Sequence, residues 1–179
     1  MSMEHQAFVF DYAAFEQQLK PLLEAALASG DPSDLRAFIA ANLDSTRDPY
    51  EGEPLADDWE DMLDAADVDQ YGDFALTKFY DPQNDVGLGT DWETVQTMLA
   101  QHNPDLLQAV LGRPVGPEGQ LFDPGKMGSY FESAEEARQA LDGLETLLRE
   151  HPELSDGLAD LRNMLQSAVD ANQGLYVTF

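Results

Sequence analysis

An α+β domain is the fold that this sequence predicts, with several helices packed on a small sheet whose strands lie far apart in the chain, a C-terminal strand among them. Three observations predict it. Apolar residues recur at helical spacing along most of the chain, apolar and aromatic segments stand near its two ends, and Gly/Pro-rich stretches interrupt the stripes without a fixed period. With 179 residues, 43% of them apolar, one core can form. Residues 1–179 are therefore expected to be a single domain, with residues 1–6 as a flexible tail.

Ala7-Phe8-Val9-Phe10 reads as a brief strand. Asp11 can cap the next segment, where Tyr12, Phe15, Leu19, Leu22, Leu23, Ala26 and Leu27 make a helical stripe that Pro21 should kink or restart and Gly30 should end. Asp31-Pro32-Ser33-Asp34 combines a capping side chain, a proline and a first-turn acid, and Leu35, Phe38, Ile39 and Leu43 follow as a buried face. Residues 44–57 are dense in turn formers. A short acidic helix is expected near Asp57 to Ala66 with Trp59, Met62 and Leu63 inward.

Phe74 to Tyr80 alternates and is rich in aromatics, which suits a half-buried strand stopped by Asp81-Pro82. Thr90 with Glu93 has capping-box spacing, so a helix should open at Asp91 or Trp92. Asn103-Pro104 starts another with Leu106, Leu107, Val110 and Leu111, closed by Gly112. Gln120 to Phe131 reads as irregular. Ser133 with Glu136 repeats the capping box ahead of Ala137, Leu141, Leu144, Leu147 and Leu148, which His151-Pro152 breaks. A last helix is expected over Ser155 to Ala171 and a strand over Leu175 to Phe179.

Charge excludes more than any motif does. Against 9 Lys and Arg stand 35 Asp and Glu, a net charge of -26, which repels nucleic-acid phosphates and anionic membranes. Between Asp48 and Thr77 there are eleven acids and no Lys or Arg. That asymmetry predicts a basic protein partner for a surface comprising Tyr50, Glu51, Glu53, Asp57, Asp58 and Asp61. Trp59 and Tyr71 lie among the same acids, although core packing accounts for Trp59. The bland reading of the acidity is solubility or salt adaptation. No apolar run is long enough to span a bilayer, and Glu4 and His5 stand where a secretory signal needs a basic start. A cytoplasmic protein is expected.

The chain has no cysteine, which removes thiolate chemistry, and its three histidines are scattered. Asp81, Gln83, Asp85, Gly87 and Asp91 have the closely spaced oxygens that hard cations favour. As an EF-hand the spacing fails, because Val86 takes the glycine position and Trp92 that of the bidentate glutamate. No cofactor is expected. Ser129 lacks a nucleophile elbow, and Gly125-Lys126-Met127-Gly128-Ser129 lacks phosphate-loop spacing, so Lys126 reads as a loop charge. Two aromatic-Asp-Pro loops, Tyr80-Asp81-Pro82 and Phe122-Asp123-Pro124, offer a second candidate site of Tyr80, Asp81, Asp85, Asp91, Asp123 and Tyr130. An enzyme or divalent-metal protein using those loops is the alternative to a binding protein.

From Thr90 onward, Asp91-Trp92 opens a helix ending near Met98-Leu99, and Ala109-Val110-Leu111-Gly112 precedes Pro114 and Gly116. Tyr130-Phe131-Glu132-Ser133-Ala134-Glu135-Glu136 then leads to a helix, a Gly turn and an apolar terminal segment. This order of features resembles the YfbM-like proteins, a family of small bacterial proteins without an assigned activity. The resemblance covers about half the chain. It implies an α+β fold and supplies no catalytic residues.

Overall fold

The structure is a computed structural model that describes residues 3–179. Among these, eight α-helices surround a three-stranded antiparallel sheet, so the fold is α+β. The strands are β1 (Gln6–Phe10), β2 (Ser129–Glu132) and β3 (Gly174–Thr178), in the order β1-β3-β2. The C-terminal strand is thus the central one. Its register pairs Phe8 with Tyr176 on one side and Phe131 with Tyr176 on the other.

Every residue of β3 is buried, and the two-residue period of a strand divides its side chains between two cores. Tyr176 joins Phe8, Phe10 and Phe131 in an aromatic-rich core with α1 (Tyr12–Gln18), α2 (Lys20–Ser29), α3 (Ser33–Ala41) and α4 (Val68–Leu76). Phe15 stacks on Phe131 there at 5.1 Å and 5°. Leu175 and Val177 point into an aliphatic core with Ala7, α5 (Trp92–His102), α6 (Gln108–Leu111), α7 (Ala134–Glu150) and α8 (Ala159–Asp170). At Gly174 the backbone of β3 passes so close to the end of β2 that a Cβ there would run into the Glu132 carbonyl.

Local signals place most boundaries. Asp11 accepts the Ala14 N–H, and Leu19 separates α1 from α2 with Pro21 in the first turn of the latter. The Ser133–Glu136 capping box forms, with Glu136 N–H on Ser133 Oγ at 3.1 Å and Ser133 N–H on Glu136 Oε1 at 3.2 Å. The Thr90–Glu93 box does not. The Trp92 indole N–H donates to the Met3 carbonyl at 3.1 Å and its ring meets Phe179, and α5 starts at Trp92 without a side-chain cap.

Three further expectations are corrected. Phe74 to Tyr80 is not a strand: α4 runs through Leu76, and only a single bridge, Phe10 to Tyr80, links the next residues to the sheet. The Asp67 cap on Gln70 N–H and the 3–4 spacing of Val68, Tyr71, Phe74 and Ala75 outweigh the short alternation. The acidic helix near residues 57–66 shrinks to a 3₁₀ turn, Trp59–Met62, with Met62 turned outward. The last helix begins at Ala159 rather than Ser155, after a 3₁₀ turn over Pro152–Leu154. Of the expected tail, Met1 and Ser2 lie outside the described residues, whereas Gln6 starts β1 and His5 is buried.

The His5 ring closes the N-terminal edge. Its Nδ1 accepts the Leu88 N–H at 3.1 Å, its Nε2 donates to the Val110 carbonyl at 2.6 Å, and burial lowers its pKa. Among the described residues no helix is long and apolar enough to cross a membrane.

Candidate functional site

A tight loop from Arg47 to Pro54 carries the first element of the site. Asp48 N–H donates to the Glu53 carbonyl at 2.9 Å, the Tyr50 N–H to Asp48 Oδ1 at 2.9 Å, and Arg47 clamps the Gly52 carbonyl at 3.2 Å. Gln83 holds the outer side, its Nε2 donating to the Glu51 carbonyl at 3.1 Å. These bonds fix the backbone while leaving the Tyr50 ring 61% exposed.

A second loop comes from β2's side of the chain. Asp123 Oδ1 accepts the N–H groups of Gly125 and Lys126, both at 3.1 Å, and its own N–H donates to Asp69 Oδ1 at 3.0 Å. This Asx turn aims Lys126 back at the protein. Its Nζ reaches Asp73 Oδ1 at 3.0 Å and stands 5.0 Å from the centre of the Tyr50 ring. Met127, at φ 61° and 66% exposed, follows directly.

Asp73 lies on α4 with no exposure, and its Oδ2 has no hydrogen-bond partner. Burial raises its pKa, against the pull of the Lys126 charge. The Tyr50 phenol is pushed up by burial and by the charges of Asp73, Asp48 and Asp64, and the Asp69 carboxyl by burial, opposed by the Asp123 N–H. Tyr50, Asp64, Asp67, Asp69, Gln70 and Asp123 line one cleft of about 280 Å³. Lys126 is therefore a neutralised cation under an aromatic ring, and the accessible charge around it is negative.

The candidate residues of the sequence fall into two groups. Tyr50, Glu51, Glu53, Asp57, Asp58 and Asp61 are all exposed. Of the second set, Asp123 joins Tyr50, while Asp81 lines a different cleft with Asp11, Arg47, Lys78 and Asn84. The two Asp-Pro loops line separate clefts. Tyr80 is buried in the aromatic core, Asp85 holds the N–H groups of Ala7 and Gly87 at 3.0 and 2.8 Å, and Asp91 stands exposed at the start of α5. Tyr130 packs on the aliphatic core.

Asp69, Asp73 and Met127 are the residues that sequence reasoning missed, together with the role of Lys126. One signal was present: Lys126 is the only Lys or Arg between Arg113 and Arg138, and a lone cation in a strongly acidic chain has carboxylates to meet. Ser129 has its hydroxyl on the Tyr176 phenol at 3.2 Å, and the three histidines are engaged elsewhere, His5 as above and His102 against His151 at 4.9 Å. Among the described residues no three His, Asp or Glu side chains are placed to hold a metal ion.

No family model, curated protein or solved structure matches the chain.

Proposed function

We propose that this is a non-enzymatic binding protein of the regulatory, inhibitor or immunity kind, which docks a basic protein partner on the face centred on Tyr50 and Met127. The observation that carries the reading is the exposed Tyr50 ring over a neutralised lysine, with Asp64, Asp67, Asp69 and Asp123 in the cleft beside it and the exposed Met127 next to that lysine in the chain. A rigid, half-desolvated aromatic anchor is where binding energy concentrates, and surrounding carboxylates steer a cationic partner and set its orientation. Glu51, Glu53, Asp57, Asp58 and Asp61 extend the negative surface along the same segment.

The proposal places the protein in the cytoplasm and includes kinship with the YfbM-like proteins, supported by the order of features after Thr90. Amide chemical-shift mapping with an Arg- and Leu-containing peptide tests it. Shifts confined to Tyr50, Asp69, Asp123 and Met127 are expected; shifts spread evenly over every acidic surface would reduce the acidity to solubility.

A further inference from the structure

Glu132 sits at the end of β2, 1% exposed, and its Oε2 has no hydrogen-bond partner. It lines a cavity of about 350 Å³ between α7 and the Asn103–Ala109 segment, with Asn103, Asp105, Gln108, Glu136 and Gln139 around it. We propose that this cavity binds a primary ammonium group, with Glu132 as the counter-charge.

None of the amide N–H groups of the lining reaches Glu132 Oε2. Gln108 gives its Nε2 to the Gly112 carbonyl at 3.0 Å, and Gln139 gives its Nε2 to Glu135 at 3.1 Å, so each keeps an amide oxygen for a ligand. Asn103 spends its Oδ1 on the Asp105 N–H at 3.2 Å. Arg113, the cation coupled to Glu132, is bound to Glu136 through Nε at 2.9 Å and a terminal nitrogen at 2.5 Å. What is left is a buried carboxyl oxygen without a donor, with the amide oxygens of Gln108 and Gln139 on the same cavity wall.

A buried acceptor without a donor costs free energy, and the group that corrects it most completely is a compact cation with several N–H bonds. A primary ammonium supplies three. A divalent ion wants several converging carboxylates, and among the described residues no three His, Asp or Glu side chains are placed to hold one, Glu136 already holding Arg113 and capping α7. The charged groups facing Glu132 are Glu136 and Arg113, with Asp105 also on the cavity wall. Burial and Glu136 raise the Glu132 pKa, so ammonium binding in the ionised form releases a proton and strengthens with pH.

The test is a titration of n-propylammonium at pH 8, followed through the amide signals of Glu132, Ala140 and Gly143. Wild type, Glu132→Gln and the cavity-filling Ala140→Leu are compared, with tetramethylammonium, which has the charge without N–H donors, as second probe. Saturable shifts with n-propylammonium in wild type are expected, weakened about tenfold or more by either variant and absent with tetramethylammonium. Equal shifts in wild type and Glu132→Gln, an equal response to tetramethylammonium, or saturation by calcium or magnesium in place of the amine would each overturn the assignment.

Discussion

The carboxylate of Asp73, fully buried on α4, meets the ammonium of Lys126 at 3.0 Å across a gap of 53 positions in the chain. That one ion pair ties the loop after Phe122 to the helix beneath it and sets Lys126 under the Tyr50 ring. Because the Asp73 side chain has no exposure and that of Lys126 only 13%, solvent screens the pair weakly.

Lys126→Met leaves Asp73 buried without its cation, and a loss of about 3–5 kcal/mol is expected from denaturant midpoints. The double variant Lys126→Met/Asp73→Asn should recover a large part of it. A single variant as stable as wild type would show that the pair does not hold the loop.

Glu132→Gln is expected to stabilise the protein at pH 7. The folded-state pKa of Glu132 is raised well above its ordinary 4.5, chiefly by burial, so the folded state binds the proton more tightly. Its contribution is fully present below 4.5 and is lost as pH rises through the raised value. Melting temperatures from pH 4 to 8 should fall less steeply in the variant, and identical profiles would contradict this.

His5 works in the opposite sense. Burial lowers its pKa from 6.5, so the unfolded chain takes up the proton first and stability drains as pH falls below 6.5 towards the folded value. In His5→Phe this acid-side slope should vanish, while the lost bonds to Leu88 and Val110 cost about 1–3 kcal/mol at pH 7.5. Urea midpoints at pH 7.5 and 5 measure both. The Glu132 and His5 slopes oppose each other, which is why the comparison is made between variants.

The sheet was partly legible in the sequence. Ala7 to Phe10 and Leu175 to Phe179 are apolar segments bounded by polar or glycine residues, and both contribute strands. Phe74 to Tyr80 misled because all but Lys78 of those residues are buried, and a segment surrounded by core displays neither period. β2, only four residues long between an Asx turn and a capping box, offers too little pattern to separate it from the loop before it. At the site, Tyr50 and the exposed carboxylates were legible from composition, whereas the isolation of Lys126 among acids says that it meets a carboxylate but not that the carboxylate is Asp73, 53 positions away.

Tyr50→Ala removes a ring that is 61% exposed, so stability should fall by no more than about 1 kcal/mol, the worth of its contact with Lys126. Its larger consequence is expected in binding. The most direct measurement is therefore the affinity of an Arg- and Leu-containing peptide for wild type and Tyr50→Ala across a sodium chloride series. Binding that weakens steeply with salt and drops about tenfold or more in Tyr50→Ala is what the Tyr50-centred acidic face predicts. Affinity indifferent to both salt and the substitution would contradict it.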